Sequence, residues 1–269
     1  MSRTILVLPA FNESTTILDV LQQSDPYCDL VLAVDDGSKD QTRDLLTAYA
    51  RVHPKLLVVS HQTNRGVSGA MLTAFLLLRE GVQRGTITVD DVVVTMDTDG
   101  QHDAADIPRL VEPVRQGVTD MVLGRRSFDK YPLVKRIGNW GLSVWASLWS
   151  GSRYNDAECG FRAIRVALLM DMLMYFNPSH YGFAQEMAVI ASRRQWRVLN
   201  NVPIQVLRYR VGARVLNGFN NAASAIRAYR RVRASAVVHH EPLWPEVLLA
   251  SDAADYGDRY RRWEVQDVL

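Results

Sequence analysis

Two carboxylates separated by one residue, Asp97 and Asp99, come directly after a short apolar run, and Gln101 and His102 follow closely. Hard cations such as Mg²⁺ and Mn²⁺ prefer oxygen ligands, and Mg²⁺ is commonly held by one or two carboxylates together with phosphate oxygens. The motif Asp97-Thr98-Asp99 therefore predicts a divalent-metal site formed by Asp97, Asp99 and Gln101. The alternative is an acidic loop that caps the next helix.

Two further polar clusters could bind a nucleotide. Asp35 and Asp36, followed by Gly37 and Ser38, offer carboxylates to a base or a ribose, while the glycine permits a tight turn. The same residues are also typical of a strand-to-helix turn in which Ser38 is the N-cap. The segment 64–69, Asn-Arg-Gly-Val-Ser-Gly, could contact an anion, but it lacks the Lys-Ser/Thr ending of a P-loop and the spacing of a dinucleotide fingerprint.

Three carboxylates further along the chain are candidates for a general base: Asp156, Glu158 and Glu186. A hydroxyl that must act as a nucleophile is hardly ionised at neutral pH and needs such a carboxylate within hydrogen-bond reach. A phosphate is already an anion and needs cationic groups instead. In the alternative interpretation Asp156 anchors a loop and Glu186 pairs with an arginine.

Strand and helix patterns that alternate along the chain must position these clusters. Short β-rich apolar runs over 4–8, 30–34, 56–59, 92–96 and 121–123 alternate with segments of helical spacing. This order predicts an α/β fold with a mostly parallel sheet and helices on both faces. In such sheets ligands bind at the carboxyl ends of the strands, and the polar clusters fall there. Gly124-Arg125-Arg126, after the fifth run, adds cationic groups to the same edge.

The composition is that of an ordinary globular protein, with 48% apolar and 22% charged residues in 269. No apolar run reaches the roughly 18 residues that span a bilayer, and the N-terminus lacks a signal-peptide pattern. We therefore expect a cytoplasmic protein. Its two cysteines, Cys28 and Cys159, fit no metal or redox motif.

Charge is distributed unevenly. Residues 187–240 contain ten arginines and no acid, whereas residues 241–269 contain seven acids. We divide the chain into a body over 1–235, with a nucleotide-binding half 1–125 and an acceptor half 126–235, and an acidic tail over 236–269.

The basic stretch contains a helical pattern with an apolar side and a basic side. The apolar side holds Phe219, Ala222, Ala223, Ile226 and Tyr229, and the basic side mainly Arg227, Arg230, Arg231 and Arg233. Such a helix can lie on an anionic bilayer, which would make the protein peripheral at the inner membrane face. An ordinary surface helix neutralised by the acidic tail is the alternative. Nucleic-acid binding is not expected, because stacking aromatics are not interleaved with the arginines.

Three tryptophans, Trp140, Trp145 and Trp149, lie within one short segment after the Gly124-Arg125-Arg126 cluster. They could stack on a sugar or a prenyl chain. We favour a helix face buried in the core.

The motifs occur in an order that resembles the family-2 glycosyltransferases, and within them the polyprenyl-phosphate (dolichyl-phosphate) mannose and glucose synthases. The resemblance covers about residues 3–235. The matching segments are 8–13, 34–42, Asn64-Arg65-Gly66, 96–102, Gly124-Arg125-Arg126, Asp156 with 159–162, Glu186, 202–204 and 208–212.

The resemblance implies a GT-A fold and inverting transfer from a UDP- or GDP-sugar, with Mg²⁺ or Mn²⁺, to a polyprenyl phosphate. It implies that the donor is bound by residues of the first four loops: Pro9, Ala10, Phe11, Glu13, Asp35, Asp36, Asn64, Gly66, Asp97, Thr98, Asp99 and Gln101. Arg126 would face phosphate. The sugar, the nucleotide and any homo-oligomeric state stay open.

One departure from the family pattern weakens the lipid acceptor. Where many polyprenyl-phosphate synthases have a second phosphate-facing arginine, this chain has Asn139-Trp140-Gly141, with Lys135 or Arg136 as substitutes. A soluble hydroxyl acceptor such as a glycan or a secondary metabolite, with Asp156 or Glu158 as the base, is one alternative. An inactive nucleotide-binding scaffold is another.

Overall fold

The structure is a computed structural model that describes residues 2–129, 131–177, 182–208 and 216–240. Strands and helices alternate as expected. The strands are β1 (Thr4–Ala10), β2 (Leu30–Asp35), β3 (Leu56–Ser60), β4 (Val92–Thr95), β5 (Met121–Arg126), β6 (Arg162–Arg165) and β7 (Val198–Ile204). The helices are α1 (Ile17–Ser24), α2 (Thr42–Val52), α3 (Gly66–Arg84), α4 (Ile107–Arg115), α5 (Leu133–Ser150), α6 (Val166–Leu173), α7 (Phe183–Arg193) and α8 (Leu216–Arg233). The segment 209–212 of the last family motif and the tail from residue 241 lie outside the described residues.

The strands form one seven-stranded sheet in the order β3-β2-β1-β4-β6-β5-β7. Strand β6 is antiparallel to both β4 and β5, and the other paired strands are parallel. The prediction of a mostly parallel sheet is therefore confirmed.

Helices cover both faces of this sheet, as the sequence predicts. Strand β2 is buried along its whole length, which suits a strand with a core on each side. One core contains buried side chains of α3, α5, α6, α7 and α8, and the other contains those of α1, α2 and α4. Because β1, β2 and β4 run parallel and adjacent, their carboxyl ends meet at one edge of the sheet.

Helix α8 differs from its expected role as a surface helix with a free apolar side. Its Ala225 and Ala228 are fully buried, and the ring of Tyr229 packs against Trp149, with 5.3 Å between centroids. The backbone carbonyl of Ala222 accepts a hydrogen bond from Trp145 Nε1 at 2.9 Å. The side of α8 that contains Ala225 and Ala228 therefore packs against neighbouring helices, whereas Ala222, Ala223 and Ile226 of the predicted apolar side are half-buried. The side chain of Phe219 lies outside the described part.

Helix α5 exposes more of its apolar surface than the sequence predicts. Trp145 and Trp149 pack against the core, as favoured from the sequence, but the side chain of Trp140 is 68% exposed. Among the described helices, none is both long and apolar enough to cross a membrane.

Candidate active site

The first two loops at the carboxyl edge are joined by hydrogen bonds. Asn12 has a left-handed backbone, with φ of 56°, and its N–H donates to Ser38 Oγ at 2.9 Å while its Oδ1 accepts from Lys39 N at 2.8 Å. The N–H of Glu13 donates to Thr42 Oγ1 at 2.8 Å. Ser38 therefore links the loops, and the N-cap of α2 is Gln41 instead. Of the predicted donor residues here, Pro9 and Ala10 end β1, and the ring of Phe11 is 40% exposed beside them.

Asp35 and Asp36 are both buried at the end of β2, but their contacts differ. Asp35 Oδ1 accepts the N–H of Ser38 at 3.2 Å, and its Oδ2 has no hydrogen-bond partner among the described residues. Asp36 Oδ1 lies 2.6 Å from His61 Nδ1 and accepts the N–H of Arg65 at 2.8 Å. Each of the two carboxylates thus has a buried Oδ2 without a partner among the described residues, and Asp36 also fastens the third loop.

The third loop is held against the second. Asn64 Nδ2 donates to the backbone carbonyl of Asp36 at 3.2 Å, and Asn64 Oδ1 accepts the N–H of Gly66 at 3.2 Å. Gly37 has a φ of 71°, and a Cβ there would lie 2.9 Å from the carbonyl carbon of Thr63. Only glycine permits this close approach, which explains its place in the motif.

Thr98 connects the Asp97–Gln101 loop to the first loop. Its Oγ1 donates to the backbone carbonyl of Pro9 at 2.8 Å, and its own carbonyl accepts from Thr16 Oγ1 at 2.8 Å. Asp99 Oδ1 accepts the N–H of Gln101 at 3.0 Å, and the Gln101 side-chain amide also contacts the Asp99 carboxylate. These contacts therefore bring together four of the residues predicted to bind the nucleotide: Pro9, Thr98, Asp99 and Gln101.

The carboxylate of Asp97 lies in a space that a neighbouring glycine leaves open. A Cβ on Gly160 would be 2.8 Å from Asp97 Oδ2 and 3.0 Å from Oδ1. His102 Nε2 is 3.5 Å from Oδ2. Burial by itself raises the pKa of Asp97, but the interaction with His102 and the charges of Arg126 and Arg162 lower it. The group is therefore held as an anion.

These residues suit a hard divalent cation when phosphate oxygens complete its coordination. Asp97 and Asp99 supply two carboxylates on one loop, and Asp97 is kept ionised. Within the described residues no group of three His, Cys, Asp or Glu side chains could hold a metal alone. Gln101 lies between Tyr131 and Asp99. Its Oε1 accepts a hydrogen bond from Tyr131 Oη at 3.3 Å, and its Nε2 contacts the Asp99 carboxylate, so the Gln101 side chain orients Asp99.

Arg126, at the end of β5, forms a two-pronged ion pair with Asp156. Its Nε donates to Oδ2 and its Nη2 to Oδ1, each at 2.8 Å, and its backbone N–H is 3.2 Å from Oδ2. Burial alone lowers the pKa of Arg126, but Asp156 raises it well above its ordinary value. Both oxygens of Asp156 are thus engaged by a permanent cation.

The other two candidate bases are also occupied. Glu158 accepts hydrogen bonds from Gln185 Nε2 at 2.5 Å and from Asn221 Nδ2 at 2.6 Å, and burial raises its pKa. Glu186 is fully buried on α7 and pairs with Arg231 Nη2 at 2.6 Å. Glu186 therefore pairs with an arginine, as the alternative interpretation of this residue expects.

Some residues of the site were not assigned from the sequence. Arg162 is fully buried and donates to the carbonyls of Ala157, Cys159 and Ala184, which fixes the segment between Asp156 and Gly160. Arg208 Nη2 donates to the carbonyl of Asp99 at 3.1 Å. Both arginines donate to backbone carbonyl groups, some of them far along the chain, as in Ala184 for Arg162 and Asp99 for Arg208, and a sequence pattern does not record such contacts.

The order of motifs along this edge agrees with a known family. Residues 5–161 match the model of Glycosyl transferase family 2. The chain belongs to this family. It is 31% identical over 225 residues to the undecaprenyl-phosphate mannosyltransferase of Micrococcus luteus, covering 80% of this chain and 88% of the relative.

A second relative is the UDP-N-acetylglucosamine–dolichyl-phosphate N-acetylglucosaminyltransferase of Methanococcus voltae. It is 30% identical over 221 residues, which cover 75% of this chain and 84% of that protein. Among solved structures, the UDP complex of glucosyl-3-phosphoglycerate synthase from Mycobacterium tuberculosis has a TM-score of 0.63. At 19% identity it covers 86% of this chain and 80% of that one. The fold is therefore GT-A, as expected.

Proposed function

We propose that this glycosyltransferase moves a sugar, with inversion, from a nucleotide-diphosphate sugar to a polyprenyl phosphate. Two relatives at about 30% identity are named for dolichyl-phosphate and undecaprenyl-phosphate acceptors, which supports this choice. We assign donor binding to residues 1–125 and acceptor binding to residues 126–235. A peripheral position at the cytoplasmic membrane face follows from a lipid acceptor.

The observation that carries the choice of acceptor is the engagement of the candidate bases. Asp156 is held through both oxygens by Arg126, and Glu158 by two side-chain amides. A hydroxyl acceptor needs a carboxylate free to take its proton. A phosphate acceptor needs none, because it is already ionised, and Arg126 keeps its Nη1 outside the pair with Asp156 to meet it.

Donor binding is supported by the cradle of the first three loops. The unpartnered, buried Oδ2 of Asp35 suits an N–H or O–H donor of a base or ribose. Phe11 offers an exposed ring, and Glu13, Asn64 and Gly66 belong to the joined loops. We assign Asp36 to this group as the residue that fastens the third loop.

A divalent metal held by Asp97 and Asp99 would neutralise the negative charge that develops on the departing nucleotide diphosphate. The two carboxylates and Gln101 orient the diphosphate end of the donor, and Arg208 adds positive charge beside Asp99. The acceptor oxygen then forms its bond to the anomeric carbon as the bond to the diphosphate breaks. One displacement of this kind inverts the configuration.

The choice between nucleotides and between metals can be approached by thermal shift. Solved structures of the same fold contain UDP and Mn²⁺, so these are the first ligands to test, with GDP and Mg²⁺ beside them. A ligand that binds the folded state raises Tm by mass action. The donor is expected to raise Tm more with Mn²⁺ or Mg²⁺ than with a chelator.

The metal assignment is tested by Asp99→Ala. We expect this variant to lose metal-dependent binding of the nucleotide in calorimetry, because one of two carboxylate ligands is gone. Asp44→Ala, at an exposed position of α2, removes the same charge and should bind like the wild type. Unchanged affinity of Asp99→Ala, with and without Mn²⁺, would overturn the assignment.

Transfer itself is tested with labelled nucleotide sugar and undecaprenyl phosphate in detergent. Label that enters the lipid phase is the expected result. Label that enters a soluble glycan instead would favour a hydroxyl acceptor, and Asp156→Asn or Glu158→Gln would then abolish it. A protein that neither transfers nor slowly hydrolyses the donor would be an inactive scaffold.

A further inference from the structure

Helix α5 has an apolar stripe on its outward side. The stripe consists of Leu133 (66% exposed), Ile137 (59%), Trp140 (68%), Val144 (49%) and Leu148 (66%). Spacings of three and four residues place these side chains along one face of the helix. The opposite face is already buried through Ser143, Ala146 and Ser150. A surface helix normally turns polar residues outward, and a contiguous exposed apolar patch marks a contact surface.

The charges around the stripe indicate which partner it fits. Residues 130–155 contain four basic residues and no acid, and the exposed Arg136 lies beside the stripe near the start of α5. Helix α8, which packs on α5, also contains no acid. Two copies of the stripe placed face to face would bring these like charges together without an acidic partner. An anionic bilayer offers both an apolar layer for the stripe and opposite charge for the arginines.

The stripe also begins next to the candidate active site. Tyr131, two residues before α5, donates from its hydroxyl to Gln101 Oε1 at 3.3 Å, and Arg126 ends the preceding strand. A bilayer that contacts α5 would therefore lie beside the cations assigned to the phosphate acceptor.

From this geometry we infer that the α5 stripe docks the protein on an anionic lipid surface. Its side chains enter the boundary between headgroups and acyl chains, while Arg136 contacts lipid phosphates. The inference rests on the proposed function and deepens it, because docking would present a membrane-held polyprenyl phosphate to the carboxyl edge of the sheet. The docking surface is α5, and the buried side of α8, with Ala225 and Ala228, takes no part in it.

The test uses the full chain and vesicles of phosphatidylcholine and phosphatidylglycerol that contain no polyprenyl phosphate. Flotation compares the wild type with a double variant, Ile137→Glu with Trp140→Glu. A matched control, Val52→Glu with Val118→Glu, adds the same charges at two other exposed apolar positions. We expect the α5 variant to partition at least about ten-fold less, because two inserted apolar side chains are lost. The control should partition like the wild type.

Several results would overturn the inference. They are equal loss in both double variants, no loss in the α5 variant, or no vesicle binding by the wild type. A wild type that is dimeric in light scattering, with a monomeric α5 variant, would make the stripe a subunit interface instead. Unchanged Tm and unchanged UDP binding with Mn²⁺ verify that the α5 variant is folded.

The same variants separate this inference from the proposed function. If both proteins transfer sugar to undecaprenyl phosphate in detergent, but only the wild type does so in vesicles, both proposals hold. If the wild type docks on vesicles but never transfers to the lipid, the acceptor is wrong and the docking surface stands. If transfer occurs in detergent without any docking, the inference alone fails.

Discussion

Helices α5 and α8 have the same length of 18 residues, lack acids, and pack against each other. They differ in burial, because one side of α8 is fully buried while a stripe of large apolar side chains on α5 is exposed. The side of α8 that holds Ala225 and Ala228 is fully buried against neighbouring protein, and Ala222, Ala223 and Ile226 are half-buried. On α5, Leu133, Ile137, Trp140, Val144 and Leu148 are exposed, whereas Trp145 and Trp149 pack toward the core beside Ser143 and Ala146.

The comparison of α5 with α8 shows that helical periodicity identifies an apolar face but not what covers it. Small side chains let two helix backbones approach closely, so the alanine-rich face of α8 suits contact with another helix. The bulky stripe of α5 would hold a neighbouring helix further away. Residue size is only a partial guide, because the contact between α5 and α8 also contains the rings of Trp149 and Tyr229.

The largest effect should come from breaking the buried ion pair that fixes α8. Arg231→Met leaves the carboxylate of Glu186 buried without its cation and should lower the free energy of unfolding by about 3–5 kcal/mol. Urea denaturation measures the loss. Arg230→Met, on the exposed side of the same helix, should stay within about 0.5 kcal/mol of the wild type.

Adding Glu186→Gln to Arg231→Met removes the unpaired charge and should restore part of the stability. If Arg231→Met were as mild as Arg230→Met, then α8 would be a loosely attached surface helix. The contrast with α5 would then disappear.

Much of the donor site could be predicted from sequence, because its residues lie in short motifs at strand ends. Asp35, Asp97 and Asp99 each follow a buried apolar run, and a parallel sheet brings such ends together. The contacts of the acceptor half were harder to predict from the sequence. Whether Asp156 is a base or an anchor depends on Arg126, 30 positions away along the chain, and that pairing is a tertiary contact. The exposure of Trp140 likewise depends on what lies opposite α5.

A smaller effect is expected at Glu158, which accepts from Asn221 of α8 and from Gln185, whose side chain also donates to the carbonyl of Leu142 in α5. Burial raises the pKa of Glu158 in the folded state. As pH rises above about 4.3, the ordinary pKa of glutamate, the unfolded chain loses this proton first. The wild type therefore loses stability until the pH passes the higher folded-state pKa.

Glu158→Gln removes this dependence, and once the side-chain amide of Asn221 turns, its unpartnered Oδ1 can accept a hydrogen bond from the new amide in place of the one that Asn221 now donates. We expect the variant to be more stable than the wild type at pH 8, because the wild type then buries a charged carboxylate and the variant buries a neutral amide. The advantage should shrink toward pH 4.5. Thermal unfolding across this range measures it, and a constant difference at all pH values would mean that the titration of Glu158 is not its cause.

The smallest effect should come from a single charge beside the α5 stripe. Arg136→Ala should weaken partition onto anionic vesicles about five-fold at low salt, since one arginine near such a surface contributes about 1 kcal/mol. Arg51→Ala, at an exposed position of α2, should change nothing. The effect of Arg136→Ala should vanish at high salt, because surface charges are then screened, while the apolar contribution of Trp140 persists. A five-fold loss that survived high salt would mean that Arg136 acts through packing, and that the stripe meets its partner by shape and not by charge.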